Sequence, residues 1–561
     1  MNQMRIAWIR KRNPCQPPKC IPTFGGFLQI PPHLKMPKPT LVLLLLFIAQ
    51  IFPAVTSSLI AHESATSPTG GEESEVAEAP KPETLDELID KWMEKPTKVV
   101  TSVIFYKVEL PEVPFVLIWL IVGATIFTVY FKLVNVRCFP LALDIVRGKY
   151  TTPGEKGEVS HFQALTAALS GTVGLGNIAG VAAAISLGGP GATFWMIVAG
   201  LLGMSSKFVE CTLGVKYRKI DIAGKTHGGP MYYLSEGLQK RGYGGLGKIL
   251  AILFAIMCIG GSLGGGNMYQ VNQAFTQFIE VTGGENSWWV GRGSTFGFII
   301  AIIVGMVIIG GIRSIAKVTA KIVPFMCAIY VTAAMVILLK HVGQVPDAVL
   351  QILHGAFSPK ATFGGVMGVL IVGFQRAAFS NEAGIGSASI AHSAVRTDNP
   401  ASEGLVSLLE PFIDTVVVCT MTALVIIITG TYTEKEALGD IGMTSAAFAS
   451  VISWFPTILA VAVILFAFST MIAWSYYGEQ SWMYIFGRGR ASRMSYKLLF
   501  CAFIIIGAAM SFGNVLNFSD AMILGMCFPN LLGLYILMPE VKDELTKYLT
   551  KIKEGEITKN S

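Results

Sequence analysis

The sequence predicts an all-α integral membrane protein whose core is a 5+5 inverted repeat with discontinuous first and sixth core helices, preceded by one extra N-terminal transmembrane helix. The 561 residues are 52% hydrophobic and 14% charged, whereas a soluble chain of this length needs about 25% charged residues to cover its surface. Apolar runs long enough to cross a bilayer recur along the sequence. Two of these runs are interrupted by glycine and polar residues at matching positions of the two halves.

The first hundred residues precede these runs and divide into three parts. Residues 1–35 are basic and proline-rich, and we expect them to lie upstream of the true start or to be disordered. Residues 36–61 show the basic, apolar and small-residue order of a signal peptide, with an extra membrane helix as the alternative. Residues 62–98 are polar and mostly acidic, which predicts a polar periplasmic segment over residues 62–112 with a short helix from Thr84 to Trp92.

Eleven apolar spans follow and define a predicted transporter domain over residues 113–540. They lie near 113–134, 161–186, 190–215, 247–279, 295–312, 318–340, 364–392, 403–430, 457–486, 494–513 and 518–538. Lys and Arg concentrate in the loops that are inside if the N-terminal segment is outside. The positive-inside rule therefore predicts a multi-pass protein of the cytoplasmic (inner) membrane, with residues 541–561 forming a basic cytoplasmic tail.

The two interrupted spans predict a binding site. Residues 170–180 read "SGTVGLGNIAG" and residues 373–389 read "GFQRAAFSNEAGIGSAS", each with a Gly-x-Gly. Unwinding a helix at mid-membrane frees backbone groups, which is tolerated only where they line a polar site. Half-helix N-termini favour a carboxylate, and freed carbonyls favour a small cation. Close helix packing explains one such motif, but two at corresponding positions favour a site made of main chain.

Several stretches resemble the signatures of the alanine or glycine:cation symporter family, the sodium:alanine symporters. They are "TVGLGNIAGVAAAISLGGPGATFWMIVAGLLGMSSKFVECTLGVKYR", "HGGPMYYL", "GGNMYQVNQA", "GFQRAAFSNEAGIGSASIAHSA" and "FIDTVVVCTMTAL". The resemblance runs from about residue 113 to residue 540. It implies a LeuT-type fold with an extra leading helix, and sodium-coupled import of small neutral amino acids, alanine or glycine, by alternating access.

"VGLGN" also resembles the first broken helix of neurotransmitter:sodium symporters, and this resemblance implies where the cation binds. The carbonyls of Ser170 and Val173 would face the hydroxyls of Ser469 and Thr470. A second cation site would fall on Thr172, Asn177 and Ser380. Sodium is the only metal expected, and no cofactor is.

The same stretches imply the substrate site. Backbone N–H groups of the first break would bind the carboxylate, and carbonyls of the second break the ammonium. Asn267 and Gln270, three residues apart on one helix face, would close the polar end, while Trp474, Phe379 and Ile385 would form an apolar wall. The expected set is Thr172, Leu175, Gly176, Asn267, Gln270, Phe379, Ser380, Ile385, Thr470 and Trp474.

Charged residues inside apolar spans are costly and often functional. They are Lys207, Glu210, Arg376, Glu382, Glu410, Asp414, Glu479 and Asp520. The spacing predicts an i,i+3 pair between Lys207 and Glu210, and we expect Arg376 to pair with Glu410 or Asp414. Glu382 lies in the second break, where it could bind the substrate ammonium, carry a proton, cap a half-helix or accept freed backbone N–H groups.

The sequence gives little indication of a membrane enzyme. It contains no HExxH, which argues against a metalloprotease centre. Its one GxSxG, residues 260–264, lies inside the apolar span 247–279 and not at the strand-to-helix turn that a nucleophilic serine of this motif occupies. Two alternatives to a sodium symporter stay open: a proton-coupled carrier of another small amino acid, and a non-transporting amino-acid sensor on the same scaffold. The expected partners are a small neutral amino acid, sodium and the lipid bilayer, with no nucleic acid.

Overall fold

The computed structural model describes residues 85–108, 113–151, 154–358 and 365–559. These residues are mostly helical, with two short β-hairpins. The predictions for residues 1–35 and 36–61, including the start and the signal peptide, concern residues outside this set.

Twenty-four α-helices are present in the described part of the chain. They are α1 (Leu85–Ile104), α2 (Phe115–Tyr130), α3 (Val134–Arg137), α4 (Phe139–Val146), α5 (His161–Thr172), α6 (Ala179–Gly188), α7 (Ala192–Lys216), α8 (Pro230–Tyr232), α9 (Leu238–Lys240), α10 (Gly244–Leu263), α11 (Tyr269–Val281), α12 (Gly293–Ile308), α13 (Gly311–Lys340), α14 (Val345–Phe357), α15 (Gly365–Asn381), α16 (Ala388–His392), α17 (Pro400–Ser407), α18 (Leu409–Pro411), α19 (Thr420–Thr429), α20 (Lys435–Ala449), α21 (Phe455–Phe486), α22 (Arg490–Ala509), α23 (Phe512–Gly525) and α24 (Cys527–Lys553).

Shorter elements connect or interrupt these helices. Turns of 3₁₀-helix cover Leu175–Asn177, Gly284–Asn286, Val342–Gln344 and Thr431–Glu434, and π-helical turns cover Tyr233–Gly237, Gly264–Met268 and Phe412–Cys419. Strands β1 (Lys107–Val108) and β2 (Val113–Pro114) pair antiparallel, with Lys107 opposite Pro114. Strands β3 (Lys219–Ile220) and β4 (Thr226–His227) also pair antiparallel, with Lys219 opposite His227.

The prediction of a multi-pass helical membrane protein is confirmed. Among the described residues, seven helices are long and apolar enough to cross a membrane, and the pair α5 and α6, bent by 60°, makes an eighth. Helices α2 and α12 are apolar but shorter. Ten predicted spans coincide with a helix or with an interrupted helical stretch, whereas 518–538 covers the end of α23 and the start of α24. The count of eleven crossings and the 5+5 repeat stay predictions.

Both predicted helix breaks are present. Helix α5 begins with a capping box between Ser160 and Gln163 and ends at Thr172, and the chain re-forms a helix at Ala179. Helix α15 ends at Asn381 and α16 begins at Ala388. Between α15 and α16, φ is positive at Glu382, Gly384 and Gly386 (55°, 86° and 96°). A left-handed backbone is routine only for glycine, which explains why this break is rich in it.

Gly386 is also held by close packing. A Cβ at this position would lie 2.9 Å from Cγ of Asn530 on α24 and 2.9 Å from Cγ of Pro230 on α8. These distances are too short for any side chain, so the sequence admits only glycine there. The second break is thereby fixed against α8 and α24.

Three elements differ from the sequence predictions. The helix expected from Thr84 to Trp92 extends to Ile104. The predicted tail 541–561 is helical as far as Lys553, with Val541 and Tyr548 buried, because its apolar residues pack against the rest of the protein. Helices α14 and α20 lie between predicted spans. The sequence analysis did not predict them because both are too short to cross a membrane.

The segments predicted to be cytoplasmic lie on one face of the molecule. Lys216 and Arg241 contact Glu540 at 3.0 and 3.1 Å. Lys559 contacts Asp144 at 2.7 Å. Contacts between segments so distant in sequence require that they share one side, which agrees with the charge distribution; the orientation of that side in a membrane stays a prediction.

A binding cavity at the two helix breaks

The two breaks meet around one small buried cavity. Six of its lining residues belong to the expected substrate set, namely Thr172, Gly176, Gln270, Phe379, Ser380 and Trp474. The others are Gly171, Gly174, Gly265, Glu382 and Ile523. Gly176 is close to the second break, since a Cβ there would lie 3.4 Å from Cα of Ser380. The fold therefore brings main chain from both discontinuous helices to the same place.

The first break releases main-chain oxygens that a continuous helix would use. In an unbroken helix, the N–H of Gly174 would bond to the carbonyl of Ser170, and the N–H of Asn177 to that of Val173. Instead Gly174 donates to Oδ1 of Asn177 at 2.9 Å, and Asn177 donates to the carbonyl of Gly174 at 3.3 Å. Ser170 and Val173, the two expected carbonyl ligands of the cation, thus lose their helical donors.

Thr470 brings an uncommitted hydroxyl to the same place. Its Oγ1 is buried without a hydrogen-bond partner among the described residues and lies 2.6 Å from where a Cβ on Gly174 would stand. The neighbouring expected ligand, Ser469, donates from Oγ to the carbonyl of Phe466 at 2.9 Å, which leaves lone pairs on its oxygen. Burying a hydroxyl without a partner costs roughly 1–3 kcal/mol, and a bound cation would offset that cost at Thr470.

Asp414, in the π-helical turn Phe412–Cys419, places a carboxylate where the two breaks meet. It is fully buried. Nδ2 of Asn177 donates to its Oδ1 at 2.6 Å, and Oγ of Ser380 donates to its Oδ2 at 2.9 Å. Thr415 donates to the same Oδ2 at 2.8 Å. No Lys, Arg or His in the described part of the chain forms an ion pair with Asp414. Its carboxylate therefore contacts Asn177 and Ser380, two expected ligands of the second cation, without a positively charged partner.

Trp474 connects the two breaks through its indole N–H. Nε1 donates to the carbonyl of Gly171 in the first broken helix at 3.3 Å and to Oε1 of Glu382 in the second break at 3.0 Å. The other oxygen of Glu382 accepts from Ser387, so this carboxylate bonds to two side chains rather than to freed backbone N–H groups. The ring of Trp474 packs edge-on against Tyr477, with centroids 5.3 Å apart.

Four expected site residues do not line the cavity. Asn267 donates to the carbonyl of Phe500 at 2.7 Å; it diverges from Gln270 because the helix is π-helical over Gly264–Met268, which changes the spacing of side chains. Leu175 contributes only its backbone N–H, which donates to Oε1 of Gln270 at 3.4 Å. Ile385 is fully buried outside the cavity lining, and Thr470 lies behind Gly174.

The structure also adds residues that sequence reasoning did not assign to the site. Ile523 of α23 lines the cavity, and nothing in one sequence distinguishes it from other apolar residues. Asp414 is noticeable in the sequence as a charged residue inside an apolar span, but the sequence analysis made it a candidate partner of Arg376. Glu382 is noticeable because it lies in the second break, but its contact with Trp474 depends on the tertiary structure.

The expected ion pairs within the spans have other partners. The guanidinium of Arg376 contacts Asp520 at 2.5 Å, so the prediction of Glu410 or Asp414 as its partner is wrong. Lys207 contacts Glu410 at 3.1 Å rather than Glu210. Glu210 instead accepts from Nδ2 of Asn530 at 3.0 Å. These partners lie on other helices, which sequence spacing along one helix does not reveal.

A chain of buried ionisable side chains connects the two broken helices. Glu403 of α17 accepts from His161, the first residue of α5, and contacts Nδ1 of His392, the last residue of α16, at 2.6 Å. Nε2 of His392 lies 3.5 Å from Glu410, which contacts Lys207. One carboxylate thus joins the first half of one broken helix to the second half of the other.

The donor set at the breaks suits a hard monovalent cation. Carbonyl, hydroxyl and carboxylate oxygens are preferred by hard ions, whereas transition metals favour imidazole and thiolate. Within the described ranges, no group of three or more His, Cys, Asp or Glu side chains is arranged to hold a metal ion.

Comparison with known proteins gives matches along most of the chain. Residues 97–561 match the model of the sodium:alanine symporter family. The sodium/alanine symporter AgcS of Methanococcus maripaludis is 39% identical over 446 residues, covering 79% of this chain and 96% of AgcS. The probable sodium/glutamine symporter GlnT of Bacillus subtilis is 33% identical, covering 76% of this chain and 86% of GlnT. The crystal structure of MhsT in complex with L-phenylalanine covers 69% of this chain and 100% of MhsT, at 14% identity and a TM-score of 0.46.

Proposed function

The chain belongs to the sodium:alanine symporter family, a family of membrane transporters rather than enzymes, and we propose that it imports small neutral amino acids, alanine and glycine, together with sodium by alternating access. One observation carries the proposal. The freed carbonyls of Ser170 and Val173, the unpartnered hydroxyl of Thr470 and the carboxylate of Asp414, which forms no ion pair among the described residues, lie directly behind residues that line one cavity between two helix breaks. This is an arrangement of donors for a cation beside a zwitterion.

The amino acid occupies the cavity with its charged groups on main chain. Its carboxylate bonds to the backbone N–H groups of Leu175 and Gly176, where the N-terminal end of a half-helix favours negative charge. Gln270, which now accepts from Leu175 through a long contact of 3.4 Å, gives way to the substrate. The ammonium bonds to carbonyls at Phe379 and Ser380. The side chain of the substrate faces the ring of Trp474, which admits a hydrogen or a methyl group.

Two cation sites flank the substrate. The first uses the carbonyls of Ser170 and Val173 with the hydroxyls of Ser469 and Thr470. The second uses Thr172, Asn177 and Ser380, and Asp414 joins it as the charged ligand. A carboxylate without a partner is costly inside a membrane, so sodium at the second site neutralises it. The loaded carrier then changes conformation without an exposed charge, which links cation binding to transport.

Alternating access follows from contacts on either side of the cavity. On one side, Arg376 stands one turn before Phe379, with its guanidinium 5.9 Å from that ring, and pairs with Asp520 on α23. On the other side, Glu403 holds His161 and His392. Opening either side requires one set of buried contacts to separate. The two sets cannot both be broken without leaving several charges unpaired in the membrane.

Proton coupling is the second candidate. His161, Glu403, His392, Glu410 and Lys207 form a chain of buried titratable side chains, each within 3.5 Å of the next. Glu382 is a further buried carboxyl group, and it lines the cavity. A carrier that used this chain would move a proton in place of a sodium ion.

Uptake into proteoliposomes tests the proposal and separates the candidates. Labelled alanine is offered under an imposed sodium gradient, an imposed proton gradient or a potassium gradient of equal size. Sodium symport predicts accumulation with sodium alone, whereas the second candidate predicts accumulation with protons alone. An amino-acid sensor would bind labelled alanine without accumulating it. Competition by glycine, leucine and glutamine defines the substrate range, and a preference for glutamine would contradict the small-substrate proposal.

A further inference from the structure

A second and larger cavity opens on the face that carries the predicted cytoplasmic segments. It is bounded by the loop before α5, the β3–β4 hairpin, the start of α13, the C-terminal part of α21 and the start of α22. None of the expected substrate or cation residues lines it. We propose that it is a second binding site for a small zwitterionic amino acid, which holds the substrate after its release from the central cavity. This inference rests on the proposed function.

The charged side chains of the second cavity leave positive charge unpaired. Glu158 is used by Arg313, whose Nε lies 3.2 Å from its Oε2, and it also accepts from the backbone N–H of Thr226 at 2.7 Å. Lys225 and Arg493 also line the cavity, and no carboxylate in the described part of the chain lies within ion-pair distance of either. Two unpaired cations at one cavity attract a carboxylate.

Glu479 supplies the opposite charge. It lines the same cavity and is 6% exposed. Its Oε1 lies 3.5 Å from Nζ of Lys497, which is a long contact for one oxygen only. Arg493 and Lys225 also act on its charge from beyond ion-pair distance, so a bound zwitterion would place its carboxylate at these cations and its ammonium at Glu479. A cavity that offers cations and a carboxylate together fits a zwitterion better than a simple anion, because Glu479 repels a ligand that carries negative charge alone.

A buried hydroxyl without a partner marks the same cavity. Thr226 is 1% exposed, and its Oγ1 has no hydrogen-bond partner among the described residues. Tyr476 is also buried, and its hydroxyl lies near the side chain of Gln480 without a hydrogen bond of ordinary geometry. A bound carboxylate would accept from both hydroxyls and offset the cost of burying them. His227 lies between them and contacts Oε1 of Gln480 at 3.1 Å. Burial lowers the pKa of His227 below its ordinary value, which favours the neutral form of the ring.

The position of the cavity connects it to the release path. Tyr476 and Gln480 are four residues apart on α21 and share a face, and both line the second cavity. Trp474, which lines the central cavity, precedes Tyr476 by two residues and therefore lies on a different face of the same helix. Helix α21 thus borders both cavities, and in this proposal substrate passes along it from one to the other. Amino acid that accumulates on this side therefore occupies the second cavity and slows further release, so import declines as the internal concentration rises.

The test is the number of labelled alanine molecules bound per protein at equilibrium, measured on the full chain in detergent with sodium present. We expect two classes of site in the parent. Arg493→Gln removes one unpaired cation, and Thr226→Val removes one buried hydroxyl at nearly constant volume. Each should weaken the second class about tenfold or more and leave the first unchanged. Arg490→Gln is the matched control, because Arg490 is exposed at the start of the same helix and does not line the cavity.

A further variant separates this inference from the proposed function. Trp474→Ala should weaken the first class and leave the second unchanged. A single class that Trp474→Ala weakens and Arg493→Gln leaves intact overturns the second site. A single class that Arg493→Gln weakens and Trp474→Ala leaves intact supports the second site and contradicts the proposed central one. Acetate or inorganic phosphate that displaces the second class as well as alanine does would show an anion site and would overturn the zwitterion assignment.

Discussion

Replacing Gly174 by alanine tests the first cation site with a single methyl group. A Cβ at Gly174 would lie 2.6 Å from Oγ1 of Thr470, which is 0.8 Å inside the 3.4 Å of ordinary contact, and 3.3 Å from Oε1 of Gln270. Thr470 is 1% exposed and has little space to yield. Overpacking of this kind costs about 1–3 kcal/mol. If Thr470 binds the cation, we expect the sodium concentration for half-maximal alanine uptake to rise about 5- to 150-fold.

The assay is sodium-dependent uptake of labelled alanine into proteoliposomes. Gly180→Ala is the matched control, because Gly180 lies within α6 and nothing stands within 4 Å of its Cβ position. Alanine is favoured over glycine in a helix by about 1 kcal/mol, so this variant should fold at least as well and transport as the parent does. Thr470→Val in the parent should also lower sodium affinity. Parental sodium dependence in Gly174→Ala would refute the cation site.

Three further predictions concern charge, substrate size and closure. Asp414→Asn keeps the size of a side chain that bonds to Asn177 and Ser380 but removes its charge, so sodium affinity should fall about tenfold or more; equal affinity would exclude Asp414 from the cation site. Trp474→Ala should weaken alanine binding and favour leucine or methionine in competition assays, and an unchanged ranking would contradict the size argument. Asp520→Asn and Arg376→Gln should each slow transport, and the double variant should be no slower than either because the two form one contact; additive losses would indicate independent roles.

The sequence predicts the breaks because their chemistry is local. Gly384 and Gly386 have positive φ. Because glycine adopts this conformation more readily than other residues, the residue type itself indicates where the helix breaks. The release of the Ser170 and Val173 carbonyls also follows locally, since Asn177 is close enough in sequence to take the N–H of Gly174. Hydropathy predicts the spans for a similar reason, because the bilayer selects apolar runs by length alone.

The partners of the charged and polar side chains are decided by packing between helices. Lys207 contacts Glu410 on another helix rather than Glu210 three residues away, and Arg376 contacts Asp520, which is 144 residues distant. Asn267 and Gln270 diverge because a π-helical turn ends between them, and π-turns have no reliable residue signature. Periodicity along one helix carries no information about such contacts.

By itself, the sequence determined a helical membrane transporter with two discontinuous helices, and it located the main chain that forms the cavity. Only the tertiary structure brought Asp414 to Asn177 and Ser380, joined Trp474 to Glu382, and enclosed a second cavity between the β3–β4 hairpin and α21. The reason is physical. Backbone conformation and hydropathy depend on neighbours in the chain, whereas the partner of a buried polar group is whichever group the packed helices bring within hydrogen-bond distance.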